Sequence, residues 1–189
     1  MFEQLRARRI PNSALAHGLL LNVTTYLGWI ADYQGAGDMA LAVRNLIKAR
    51  LPGVDRLVGM ALANHGLALI RLNDLAGALA LLERAAGLDE VHRPGSAELA
   101  DQYDTLGGVL LAQGRAGKAG ALVKAARRRQ QALALRRLLF GRSALLAQTV
   151  NNLGAVRFAQ GRGAAAARLA NASLMIFREV LPPGDARLA

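Results

Sequence analysis

The sequence predicts an all-α protein built from about four antiparallel helix-turn-helix units, and three observations carry that expectation. First, four glycines recur in matched surroundings. Seven residues after Gly28, Gly66, Gly107 and Gly154 stand Gly35, Asn73, Gly114 and Gly161, and twelve after them stand Ala40, Ala78, Ala119 and Ala166. Self-similarity at a spacing of a few tens of residues is the mark of stacked repeats. Second, each anchor lies in a segment whose apolar residues return at helical spacing. Third, the 189 residues are 53% hydrophobic but only 4% aromatic, with 20 glycines and no cysteine. That is enough chain for one domain and too aliphatic for disorder. The missing thiol excludes disulfides, thiolate zinc sites and cysteine nucleophiles.

In chain order, residues 1–10 read as a capping segment with Phe2, Leu5 and Ile10 on one side. The stretch from Ile10 to Ala31 is uncharged and follows Arg6, Arg8 and Arg9. Pro11, Asn12, Ser13, His17, Asn22, Thr24 and Thr25 break its apolar run, and no small-residue cleavage pattern follows Leu21. It reads as a soluble helix rather than a signal or a membrane span, and a cytoplasmic chain is expected. One helical domain over 11–183 then holds units at about 12–53, 54–93, 96–140 and 143–181, before a tail at 184–189.

The third unit shows the logic. Its first helix is expected from about Ser96 to Gln113, with Tyr103, Leu106, Val109 and Leu110 in helical register. Gly114 ends it, because glycine takes the left-handed conformation that a helix terminus needs. The second helix restarts near Ala116 with Ala119, Leu122, Val123 and Ala126 on one side, so that Gly107 and Ala119 face each other and let the axes approach. In the second unit Asn73 takes the turn, asparagine being the next-best residue for that backbone. The last helix, from about Gly163 to Leu181, carries Leu169, Ile176, Phe177, Val180 and Leu181. That face is expected to meet a second copy, a partner or a continuation of a longer chain.

Leu27-Gly28, Leu106-Gly107 and Leu153-Gly154 give three of the units a Leu-Gly pair ahead of the turn residue and the small residue. At these positions the sequence resembles the tetratricopeptide repeat family. The stretches that carry the resemblance are VNNLGAVRFAQGRGAAAARLANASL, YDTLGGVLLAQGRAGKAGALVKAA, LANHGLALIRLNDLAGALALLERAA and TTYLGWIADYQGAGDMALAVRNLI. Units longer than the family's usual length of about 34 residues, and phrases such as NNLGAV followed by LPPGDA, are similar to the repeats of kinesin light chains. The resemblance implies a right-handed α-solenoid whose first helices line a concave groove that binds partner proteins. The sequence departs from the pattern where the early large aromatic occurs only as Tyr103, and where the closing proline occurs only as Pro52 and Pro182.

Charge adds a second theme. The formal net charge is +11 and the pI about 11.4, which attracts anionic partners of any kind. No carboxylate stands between Asp104 and Glu179, while Arg115, Lys124, Arg127, Arg128, Arg129, Arg136 and Arg137 crowd one helix and its approach. An arginine-rich composition filling solvated positions accounts for this, and so does an anion-binding face for RNA, DNA or an acidic membrane surface. Signs of catalysis are thin. His17, His65 and His92 lack metal-ligand spacing, Asp101 and Asp104 read as a solvated acidic patch, and no Walker loop, GxSxG or dinucleotide fingerprint occurs. No enzyme activity, cofactor or metal is expected.

A binding surface remains. The resemblance places it on the first helices, at Asn22, Thr25, Trp29, Asp32 and Tyr33 in the first unit and Leu67 and Ile70 in the second. The third unit adds Asp101, Asp104 and Leu111, and the fourth Gln148, Asn151 and Phe158. Trp29 with Tyr33 is the candidate anchor, aromatics dominating interface energetics. Most cations fall on second helices and connectors, where the resemblance puts the outer side. A receptor clamping an acidic chain terminus is therefore not expected. The function expected is a non-catalytic scaffold that holds a partner peptide or helix.

Overall fold

The computed structural model describes Asn22, Thr24, Leu27 and residues 31–50, 55–182, 184 and 185; of 46–50, 55 and 56 it describes the backbone alone. Seven helices follow one another: α1 (Tyr33–Arg50), α2 (Asp55–Arg71), α3 (Leu75–His92), α4 (Ala97–Arg115), α5 (Ala121–Phe140), α6 (Ala144–Ala159) and α7 (Gly163–Val180). Asn22, Thr24 and Leu27 are helical too, and no strand occurs among the described residues. The chain divides into two compact units, Met1–Leu88 and Asp89–Ala189.

In the first unit Met39 and Val43 of α1 meet Val58, Ala61 and Leu62 of α2 and Ala85 of α3. Val43, Ala61, Leu62 and Ala85 are at most 1% exposed, so this packing expels water as fully as a larger core would. A second cluster joins Leu27, Ala36 and Ala68. The Gly66 position lies against Leu82 and the Ala78 carbonyl, the close approach that the repeated glycine and alanine predict. In the second unit, Leu146, Ala147 and Val150 of α6 pack with Ile176 of α7, flanked by Leu133, Leu169 and Phe177. The apolar residues expected on the outside of the last helix are thus largely spent inside the unit, leaving Met175 and Val180 exposed.

The turns correct the repeat phase in two units. The residue with positive φ is Asn73 in the second repeat and Gly161 in the fourth, as expected, but it is Ala31 in the first repeat, and in the third repeat Gly117 and Gly120 both take it. In the first unit the true register lies one helical turn earlier, so that Thr24, Ala31 and Ala36 match Gly66, Asn73 and Ala78. Gly35 is not the turn residue there. It sits in the first turn of α1, where its N–H donates to the Asp32 side chain at 2.9 Å. In the third unit α4 runs on to Arg115, the five residues 116–120 follow, and α5 begins at Ala121 instead of near Ala116. Ala119 is therefore exposed in the loop, and Val123 is 69% exposed. Gly107 faces Arg129 instead.

Helix starts are capped in two ways. Asp32 and Asp74 accept from the N–H groups of Gly35 and Gly77 at 2.9 Å, and Ser96 and Ser143 accept from those of Leu99 and Leu146. Such caps satisfy amides that have no partner within the helix. No helix among the described residues is long and apolar enough to cross a membrane.

Candidate functional site

The second unit holds a polar network that hydropathy does not announce. The buried stripe of α5 is Ala125, Arg129, Ala132 and Arg136, at spacings of four, three and four residues. Arg129 and Arg136 are only 7% and 5% exposed. Arg129 pairs with the Asp104 carboxylate of α4. Arg136 pairs with Asp101 at 2.7 Å, lies 3.7 Å from Asp104, and donates to the Leu145 carbonyl and the Thr149 hydroxyl of α6. Asn152 of α6 donates to the other Asp104 oxygen at 3.1 Å. Asp104 thereby ties three helices together. Burying a guanidinium costs far more than an exposed pair returns, so the arrangement depends on these partners being in place.

Gly107 and Gly108 make room for it. A Cβ on Gly107 would lie 2.7 to 2.8 Å from Nε, Cδ and Cγ of Arg129, and one on Gly108 would lie 3.2 Å from its terminal nitrogen. The glycine of the Leu-Gly pair therefore accommodates a charged side chain in this unit, where its counterpart Gly66 meets Leu82.

A second set of contacts closes the other end of α4. Asp89, 1% exposed, accepts from Arg93 at 2.7 Å and from Gln102 at 2.8 Å. Tyr103 donates its hydroxyl to Glu90 at 2.8 Å, and Arg128 reaches the same carboxylate while standing 5.1 Å over the Tyr103 ring. Burial, and then the hydrogen bond to Glu90, push the Tyr103 phenol up to about 12.

These contacts revise several expectations. Asp104 is largely buried and ion-paired to α5, and Asp101, though 65% exposed, pairs with Arg136; Arg129 and Arg136 are engaged inward, and half-buried Arg128 pairs with the exposed Glu90. Arg115, Lys124, Arg127 and Arg137 do stand exposed. Leu111 is 9% exposed and offers nothing to a groove. In the first unit Asp32 caps α1, and Tyr33 is the first residue of that helix, its hydroxyl accepting from Arg71 at 2.9 Å with the guanidinium 5.0 Å over its ring. Asn22 is exposed, Leu67 is exposed and Ile70 is half-buried. Thr25 and Trp29 lie outside the described residues.

In the fourth repeat the residues expected to face a groove share one side of a helix. Gln148, Asn151, Ala155 and Phe158 fall at spacings of three, four and three along α6, on one side of that helix. Gln148 and Asn151 are exposed, Ala155 is half-buried, and Phe158 is 69% exposed. The stripe adjoins α4, because Asn152 on its border bonds Asp104. Sequence reasoning missed the buried arginines because arginine is ordinarily read as solvated. The available signal was the alternation of Ala and Arg on one helical stripe, facing Asp101, Asp104 and a Gly-Gly pair on the preceding helix.

Hairpins whose turns carry a left-handed residue, and whose small residues sit at the helix contact, decide the architecture. The fold is of the tetratricopeptide type. BtubC (BKLC) from P. vanneervenii matches with a TM-score of 0.78 at 20% identity, over 100% of this chain and 74% of that one. The nearly identical TPR-like repeats described as a kinesin light chain of Podosopora anserina match at 0.73 and 14%, over 89% of this chain and 78% of that one. MamA from Desulfovibrio magneticus RS-1 matches at 0.64 and 20%, over 92% and 80%. No family model and no curated protein matches the sequence. At such identities the likeness is one of fold, an all-α TPR-like helical repeat of the solenoid class. Among the described residues no three His, Asp or Glu side chains stand together that could hold a metal ion.

Proposed function

We propose that this protein is a non-catalytic interaction scaffold that holds a peptide or helix of a partner protein against the first helices of its TPR-like repeats. The observation that carries the reading is the α6 stripe, where two amide side chains, Gln148 and Asn151, and the exposed ring of Phe158 share one face. Amides donate and accept at once, which suits the backbone of an extended peptide, and an exposed aromatic supplies the apolar anchor that interfaces favour. The network under α4 and α6 supports the same role. Asp104 and Arg136 fix the two helices to each other, so a ligand would meet a preorganised surface and its binding would carry a smaller ordering cost. In the first unit Leu67 stands exposed on α2 in the same helical role.

A photo-cross-linking residue placed singly at Gln148, Asn151 or Phe158 tests this in extract of the native host. One partner polypeptide should be labelled from all three positions and not from Val123 on α5. Labelling from Val123 alone would overturn the proposal.

A further inference from the structure

The second unit has an electrostatically polarised edge. The turn between α4 and α5 and the turn between α6 and α7 lie together, because Gln160 donates its side-chain amide to the Leu122 carbonyl at 3.0 Å and Leu122 packs on Gly114. Within five residues in the chain of Gly114, Leu122 or Gln160 lie Arg115, Lys118, Lys124, Arg127, Arg157 and Arg162, all exposed except Arg157, which is half-buried and donates to Gln160. None of the six has a carboxylate partner among the described residues, and the sequence supplies no acid between Asp104 and Glu179. Asp104 itself is taken by Arg129 and Arg136.

The first unit is built differently at the same place. There the residue after the left-handed position is Asp32 or Asp74, and each caps the following helix. In the second unit Arg162 follows Gly161 at the cap position of α7, while α5 follows two left-handed glycines, Gly117 and the cap residue Gly120, with Lys118 between them, and neither α5 nor α7 has a capping side chain or an acid in its first turn. The positive field of a helix start is offset by aspartate in one unit and reinforced by cations in the other.

We infer that this edge binds the phosphate backbone of nucleic acid without reading its sequence. Four of the six cations are arginines, whose planar fork matches phosphate oxygens, and a local excess of cations with no acid near it in the chain is the electrostatic footprint of such binding. The scarcity of aromatics, 4% of the chain, leaves few platforms on which bases could stack and favours contact with the backbone over contact with the bases.

The test is fluorescence anisotropy of the full chain with a labelled DNA duplex of about 20 base pairs and arbitrary sequence. If about four phosphates are contacted, affinity should fall about a hundredfold between about 50 and 200 mM salt. Lys118→Asp combined with Arg162→Asp should weaken binding at least about tenfold at fixed salt. That variant keeps its fold, since Arg162→Asp places at α7 the carboxylate that caps α1 and α3, and circular dichroism checks it. Arg84→Asp, an exposed cation of the first unit, should change affinity less than about twofold. The inference is overturned if the duplex does not bind saturably, if binding ignores salt, or if Arg84→Asp is as damaging. Equally tight binding of a polyglutamate peptide of equal charge also overturns it and points to an acidic protein segment.

Discussion

Replacing Gly107 by alanine tests the buried arginine directly, because two effects of opposite sign meet at one methyl group. In a helix interior alanine is favoured over glycine by about 1 kcal/mol. Against that, the added Cβ would stand 2.7 to 2.8 Å from the middle of the Arg129 side chain. That side chain cannot swing aside cheaply, since its head pairs with Asp104 and its side chain is only 9% exposed. Displacing it breaks a buried ion pair, which costs about 3 to 5 kcal/mol. The net expectation is a loss of about 2 to 4 kcal/mol in the unfolding free energy. Urea denaturation followed by circular dichroism at 222 nm should show a lowered midpoint for Gly107→Ala. In an Arg129→Ala background the obstacle is gone, and the same substitution should raise the midpoint by about the helix-propensity difference. A change of sign between backgrounds is the signature of direct contact. If Gly107→Ala stabilises the otherwise unchanged protein, Arg129 is not held where the structure puts it.

Two further predictions concern the first unit. Ala31 has a φ of 65°, a left-handed conformation that costs a residue with a Cβ about 1 kcal/mol, so Ala31→Gly should raise thermal stability by a similar amount, and an unchanged or lowered midpoint would contradict the turn. His65 is half-buried against Gly37, and burial, then Arg44, hold its imidazole below the ordinary 6.5 while Asp38 opposes them. The folded chain therefore takes up that proton less readily than the unfolded chain. The stability His65 contributes is complete above 6.5 and is lost as pH falls below it. His65→Gln should flatten that part of the pH profile of the urea midpoint between about pH 7 and 5, and parallel profiles for the two proteins would count against it.

Much of the fold was legible in the sequence because it depends on local spacing. Gly66 with Ala78, and Asn73 and Gly161 at their turns, lie where the repeat predicted, since a left-handed residue and a small contact residue are needed wherever two helices fold back closely. The first unit slipped by one turn because Gly35 imitates the turn glycine. The true turn residue, Ala31, carries no such mark, and Asp32, expected in the groove, marks the turn instead by capping α1. The third unit slipped because α4 extends to Arg115 and the loop after it reaches Gly120, so Ala119 never enters the contact.

By itself the sequence determined the all-α repeat architecture, the excess of cations in the second half and the helical spacing that puts Gln148, Asn151 and Phe158 on one side of α6, all properties of composition and of residues a few positions apart. Which charges are spent and which remain was decided by tertiary structure. Arg129 lies 25 positions from Asp104, and Arg136 lies 35 from Asp101. Whether a guanidinium faces water or a carboxylate depends on how neighbouring helices cross. No local pattern records that crossing, and it divides the arginines of α5 into the paired Arg128, Arg129 and Arg136 and the exposed Arg127 and Arg137.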